Sequence, residues 1–205
     1  MDTAAQGLDA QPVEAAARMT AARRIDEGPC MRAWRERPYR ETLALRDGRE
    51  VTLRPAHRSD AQALQGFFAA LSTRSRWLRF HGTINRLPDA VLRAFTTQVS
   101  RQHVSLVALS RPHDGPARLV AEARYVADTS VCGRAEFALS VADAWQGLGL
   151  GKALLRRLAR HAAAEGLVAL DGGVMAGNEP MLGLLRDVGA TFINQGPVVH
   201  AILTL

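Results

Sequence analysis

Alternation of apolar and polar positions begins at Thr42. Leu43 and Leu45, then Asp47-Gly48, then Val51 and Leu53 predict two strands around a tight turn, closed by Arg54-Pro55. From Ser59 the period becomes that of a helix. Ala61, Leu64, Phe67, Phe68 and Leu71 share one face, which predicts a helix over 60–71 capped by Ser59. Ser72 caps a short helix over 73–80, and Pro88 opens another over 88–98. Period two returns in His103–Leu109, Arg118–Val126 and Arg134–Val141, with a turn at 111–116 between the first two. A helix over 150–165 carries Ala153, Leu154, Leu158 and Ala162 on its face and stops at Glu165-Gly166. Leu167–Val174 reads as a strand, and Asn178 caps a helix over 179–187 that ends at Gly189. Ala190–Asn194 and Val198–Thr204 read as a closing hairpin.

Strands of antiparallel look come first, followed by a strand–helix–strand–helix–strand tail. That order predicts a mixed α/β sheet rather than a purely parallel one. Residues 1–41 are rich in Ala and Arg and lack periodicity, and Gly28-Pro29 breaks any helix there. They read as a mobile arm, with a short helix over 12–24, ahead of one domain over 42–205.

Composition narrows the class. With 205 residues, 47% of them hydrophobic and 22% charged, the chain can bury a sizeable core without staples. Two cysteines, Cys30 and Cys132, make no disulfide framework, so a reducing, cytoplasmic setting is expected. No apolar run approaches 18 residues, and Asp2, Asp9 and Glu14 interrupt the start, so neither a membrane span nor a secretory or mitochondrial leader is expected. The net charge of +6 lies wholly in 42–205, since 1–41 hold seven arginines against seven acids. Such an excess suits an anionic partner. Lys152 is the only lysine among 26 basic residues.

The chemistry concentrates in Gln146-Gly147-Leu148-Gly149-Leu150-Gly151-Lys152, between a strand and a helix. Closely spaced glycines are costly unless the backbone must bend tightly or touch a ligand. Free N–H groups at a helix start, with the positive end of its dipole, bind anions, and a pyrophosphate suits them. A Walker-type loop fails, because Gln146 stands where its first Gly belongs and Ala153 offers no hydroxyl. A dinucleotide fingerprint fails too, because its third Gly would fall on Lys152 or Leu154.

Gln146-x-x-Gly149-x-Gly151 resembles the Gln/Arg-x-x-Gly-x-Gly/Ala loop of the Gcn5-related N-acetyltransferase (GNAT) superfamily. Ala135–Val141 resembles its fourth strand, and Asn178-Glu179-Pro180-Met181-Leu182 with Gly189 its fourth helix. Val51–Pro55 resembles its first strand, and Leu71-Ser72 with Ser75, Arg79 and Phe80 resembles the second-helix region of bacterial protein lysine acetyltransferases. The resemblance covers roughly 42–205. It implies a GNAT-like mixed, mostly antiparallel twisted sheet, splayed between the family's strands 4 and 5 and flanked by helices. It also implies acetyl-CoA as cosubstrate, its pyrophosphate held by the amides of Gln146, Gly147, Leu148, Gly149, Leu150, Gly151 and Lys152. The N–H groups of Leu139 and Val141 would take the pantetheine and the carbonyl, and Asn178 the pantetheine or a bridging water.

Transfer of an acetyl group to an amine needs a base for the ammonium proton. Glu136 is a lone acid among apolar strand residues and matches the family's catalytic glutamate; the alternative is a structural pair with Arg124 or Arg134. The position where many members carry a tyrosine acid is Leu185. Arg156, Arg157 and Arg160 follow Lys152 and offer contacts to the adenosine 3′-phosphate or a solvated face. The six histidines show no ligand spacing, so no metal is expected. The expected function is N-acetylation of a primary amine, first a protein lysine, with a small amine or a non-catalytic acyl-CoA-binding module as alternatives. No membrane or nucleic-acid partner is expected, and a homodimer stays open.

Overall fold

The computed structural model describes residues 39–82, 84, 86–96, 100, 102–111 and 115–205. Residues 1–38 of the expected arm, with its helix over 12–24, and residues 112–114 of the turn at 111–116 lie outside the described residues. Eight strands form one sheet: β1 Glu41–Ala44, β2 Glu50–Pro55, β3 His103–Ser110, β4 Arg118–Ala127, β5 Arg134–Val141, β6 Ala169–Met175, β7 Thr191–Gln195 and β8 Val198–Thr204. Their order is β1-β2-β3-β4-β5-β6-β8-β7. Every neighbouring pair is antiparallel except β5 and β6. The helices are α1 Ala61–Ala70, α2 Thr73–Phe80, α3 Asp89–Phe95, α4 Leu150–Ala164 and α5 Glu179–Asp187.

Two apolar cores lie on the two faces of the sheet. On one face Leu150, Leu154, Leu155 and Leu158 of α4 and Leu182 and Leu185 of α5 pack with Leu53, Leu106, Tyr125 and Phe137. On the other, Phe67 and Phe68 of α1, Phe80 of α2 and Val91, Leu92 and Phe95 of α3 pack on Val107 and Leu119. The helical periodicity of these segments therefore has a sheet face to bury against.

The parallel pairing of β5 with β6 is short. Its register runs Arg134↔Ala169, Ala135↔Leu170 and Glu136↔Asp171, and there it stops. β5 continues alongside β4 as far as Val141, while β6 continues alongside β8. The two strands part after Glu136, so the expected splay between the family's strands 4 and 5 falls between β5 and β6.

Candidate active site

The splay opens a cleft of about 590 Å³. Its wall from β5 offers backbone groups. Ala142 N–H donates to the Val120 carbonyl at 2.8 Å. By antiparallel alternation, the N–H groups of Leu139 and Val141 then point away from β4, into the gap. Gln146 Nε2 donates to the Val141 carbonyl at 3.0 Å and to Ser75 Oγ at 3.4 Å, tying the following loop to the strand end and to α2.

That loop is bent by Gly147 and Gly149, at φ +74° and +90°, a left-handed backbone that favours glycine. Gly149 is the N-cap of α4 and makes no side-chain cap bond, so the first-turn amides face the cleft uncapped. Gly151 serves another need. A methyl there would lie 2.9 Å from Leu184 Cδ1 and 3.4 Å from Leu139 Cδ2, so the bare backbone lets the α4 start approach β5 and α5 without displacing these leucine side chains. The cradle of amides at a helix N-terminus suits an anion.

Glu136, Leu139, Val141, Gln146, Gly147, Gly149, Gly151, Lys152 and Asn178 all line this one cleft. Leu148 and Leu150 direct their side chains into the core and have only backbone to offer a ligand. Asn178 caps α5, its Oδ1 accepting from Met181 N–H at 3.3 Å. The Lys152 ammonium reaches Asp187 Oδ2 at 2.9 Å. Arg157 turns away and pairs with Glu41, with its Nε donating to Tyr39 Oη at 3.2 Å, which removes it from the phosphate candidates. Leu185, at the position where many members carry a tyrosine acid, is fully buried in the core, and its neighbour Leu184 lines the cleft.

Glu136 stands where the ladder ends, and it lines both the cleft and a second groove of about 460 Å³ shared with Arg134, Asp171, Ile193 and His200. Neither suggested pairing forms. Arg134 binds Asp171, with Nε 2.6 Å from Oδ2, and Arg124 lies beside Glu122, with Nε 3.5 Å from Oε1. Among the described residues Glu136 has no hydrogen bond or ion pair. Its side chain is open to the cleft, yet the surrounding protein desolvates it and raises its carboxyl pKa, with Arg79 and Arg124 opposing. That is the direction useful to a base.

A model of the Acetyltransferase (GNAT) family matches residues 77–190, more than half of the chain. The chain belongs to the GNAT acetyltransferase family. This GNAT enzyme is 34% identical over 152 residues to Acetyltransferase PA5475 of Pseudomonas aeruginosa, an alignment covering 74% of this chain and 80% of that one. The GNAT domain of S. lividans PAT superposes with a TM-score of 0.73 at 28% identity, over 81% of this chain and 97% of that domain. The yncA protein of Salmonella typhimurium, solved with its cofactor acetyl-CoA, shares the fold with a TM-score of 0.55 at 21% identity, over 76% and 92% of the two chains.

The enzyme is an acyltransferase that uses acetyl-CoA as cosubstrate. The uncapped, glycine-lined start of α4 fits the pyrophosphate of that molecule. Among the described residues, no group of three or more His, Cys, Asp or Glu is placed to hold a metal ion.

Several cleft residues escape a reading of the sequence. Arg46 follows β1, donates its N–H to the Leu148 carbonyl at 3.4 Å and brings Nε 3.8 Å from where a methyl on Gly149 would sit. Arg74 reaches the Gly177 carbonyl at 3.3 Å. Arg124 and its neighbour Glu122 are buried, although their alternation along a strand reads as a solvated face. Asp143 fixes α2 by accepting from Ser72 N–H, Ser72 Oγ and Ser75 Oγ at 2.9, 2.7 and 2.6 Å.

Proposed function

We propose that this enzyme transfers the acetyl group of acetyl-CoA directly to a primary amine, with Glu136 as general base. The observation that carries the reading is Glu136 itself, an unpaired carboxylate with a raised pKa at the mouth of the β5–β6 gap. In this reading the pyrophosphate lies on the amides of Gln146–Lys152, with Arg46 and Arg74 beside it. The pantetheine runs along Leu139, Val141 and Asn178. Glu136 takes the ammonium proton, and the freed lone pair forms the N–C bond. The C–S bond breaks, and its electrons leave on the coenzyme A thiolate. Leu184 and Leu185 supply no proton to that sulfur, and none of the described residues lining the cleft is a tyrosine.

Two acceptor classes fit. A protein lysine is favoured by the second groove, which reaches Glu136 from the open face of β6 and β8. A small amine such as an amino acid is favoured by the buried arginines beside Glu136. Glu136→Gln should lower turnover by about 10²–10⁴ while coenzyme A affinity stays near that of the parent. The loss should shrink as pH rises, because more of the amine is already neutral. Turnover equal to the parent at every pH would remove Glu136 from the mechanism. An acceptor screen with labelled acetyl-CoA, including whole-cell protein extract, tests the two classes together.

A further inference from the structure

The cleft has a charged floor that acetyl-CoA and a general base do not account for. Arg124 of β4 is 1% exposed and lies over the Phe95 ring. Its Nε, Nη1 and Nη2 have no hydrogen-bond acceptor among the described residues, nor do Arg79 Nε and Nη2, and the buried Ser140 Oγ has no partner either. All three residues line the cleft with Glu136. One carboxylate is near both guanidiniums, Glu122, at 3.5 Å from Arg124 Nε and 3.9 Å from Arg79 Nη2. These contacts are longer than good hydrogen bonds and leave most of the donors open. Stacking on Phe95 engages the face of a guanidinium and not its N–H edge. Burial works against both charges, opposed by Glu122 and Glu136.

Buried donors of this kind are costly until an acceptor arrives. The fork of an arginine matches a carboxylate in two parallel hydrogen bonds. Charge counting points the same way. Two arginines and two glutamates leave the floor neutral. A lysine side chain would add a cation beside two guanidiniums, whereas a zwitterion adds no net charge.

We infer that Arg79 and Arg124 form a carboxylate-binding subsite, and that the acceptor is a free amino acid, with its carboxylate on the guanidiniums and its amine at Glu136. The register sets the spacing. Arg124 stands opposite Ala138, and Glu136 is the next residue on that face of β5. Diagonal neighbours of this kind lie roughly 7–8 Å apart, which suits an amine and a carboxylate separated by a few carbons. The inference rests on the reading of Glu136 as base.

The test compares kcat/KM for the twenty amino acids and γ-aminobutyrate, each beside its own carboxamide, with acetyl-CoA as donor. At least one acid should exceed its amide by about 10- to 100-fold, the effect of a charge-assisted contact. Arg124→Gln should bring that acid down to the level of its amide. If that variant does not fold, the acid-to-amide ratio of the parent decides alone. Calorimetry on the coenzyme A-loaded protein reads the subsite without turnover, and the preferred acid should bind the parent at least tenfold more tightly than its own carboxamide does. If Glu136→Gln turns over normally while the acid preference persists, the base reading fails and the subsite stands. Equal rates for every acid and amide, or no acid bound at 10 mM, would overturn the inference. So would a lysine peptide lacking a free carboxylate that outcompetes every acid. A tenfold preference for succinyl-CoA over acetyl-CoA with that peptide would place the carboxylate on the donor and equally overturn it.

Discussion

The Phe137 ring occupies the space where a side chain at position 172 would lie: a methyl on Gly172 would sit 2.7 Å from Phe137 Cε1 and 2.9 Å from Cζ. These two residues directly follow Glu136 and Asp171, the last registered pair of β5 and β6. The ring thus acts as a wedge at the vertex of the cleft, and glycine lets β6 stay close beneath it. Gly172→Ala should destabilise the fold by about 1–3 kcal/mol, the usual cost of forcing an extra carbon into a packed site. Gly173→Ala is the control, since its methyl would meet Val198 Cγ1 at 3.4 Å. Thermal denaturation should show a clear drop in Tm for the first variant and little for the second. Equal Tm values in both variants and the parent would mean the ring yields freely and does not hold the splay.

Gly149→Glu should abolish coenzyme A binding. The φ of +90° costs any other residue roughly 1–2 kcal/mol. The new carboxylate would also enter the anion cradle, within reach of Arg46 Nε, and take that guanidinium for itself. Gly149→Ala isolates the strain and should retain measurable affinity. Calorimetry giving the parent's affinity for Gly149→Glu would move the pyrophosphate elsewhere.

Stability should fall with acid earlier than carboxylates alone dictate. Burial depresses the pKa of His103 and of His161, each to about 4. In the unfolded chain an imidazole titrates near 6.5. Their contribution is therefore complete above about pH 6.5 and is lost as pH falls from there to about 4, at most roughly 3 kcal/mol for each. Glu41, held at about 2 by Arg157, acts in a lower window, below its ordinary value of 4.5. The urea midpoint should decline from pH 7 to pH 5, and His161→Gln should flatten the slope. A midpoint constant over that range would show that both imidazoles protonate freely in the fold.

How much of this was readable in advance depends on sequence distance. Gln146–Lys152, Glu136 and Asn178 lie within one strand–loop–helix–strand–helix run, so short-range spacing identifies them. The helix over 73–80, the strand over 134–141 and the helix over 179–187 match the structure at both ends, because caps and periodicity are local. The helix over 88–98 stops early, at Phe95. The charged floor was illegible for a different reason. Glu122 and Arg124 alternate with Ala121, Ala123 and Tyr125, a pattern that normally marks one wet face and one dry face. Here Phe95 of α3 lies over Arg124, and no local signal in 118–127 reports that helix. Arg46 and Asp187 likewise join the site only through long-range packing.

Lys152 should resist acetylation by its own enzyme. It is the only lysine of the chain, and the other 25 basic residues are arginines, which offer charge without a nucleophile. Its Nζ lies 2.9 Å from Asp187 Oδ2, and its side chain is 28% exposed. The salt bridge ties the ammonium to Asp187 and keeps it from swinging toward a thioester. Lys152 also lies in the first turn of α4, directly after Gly151, so a bound pyrophosphate adds negative charge beside it. Incubated with acetyl-CoA, the protein should gain at most one lysine acetyl group by intact mass, slowly, and more slowly still with excess coenzyme A. Asp187→Asn should speed the modification by freeing the amine, and coenzyme A should then protect it less. Rapid, complete acetylation of Lys152 in the coenzyme A-saturated parent would show the opposite arrangement, an amine facing solvent that neither Asp187 nor the phosphates hold.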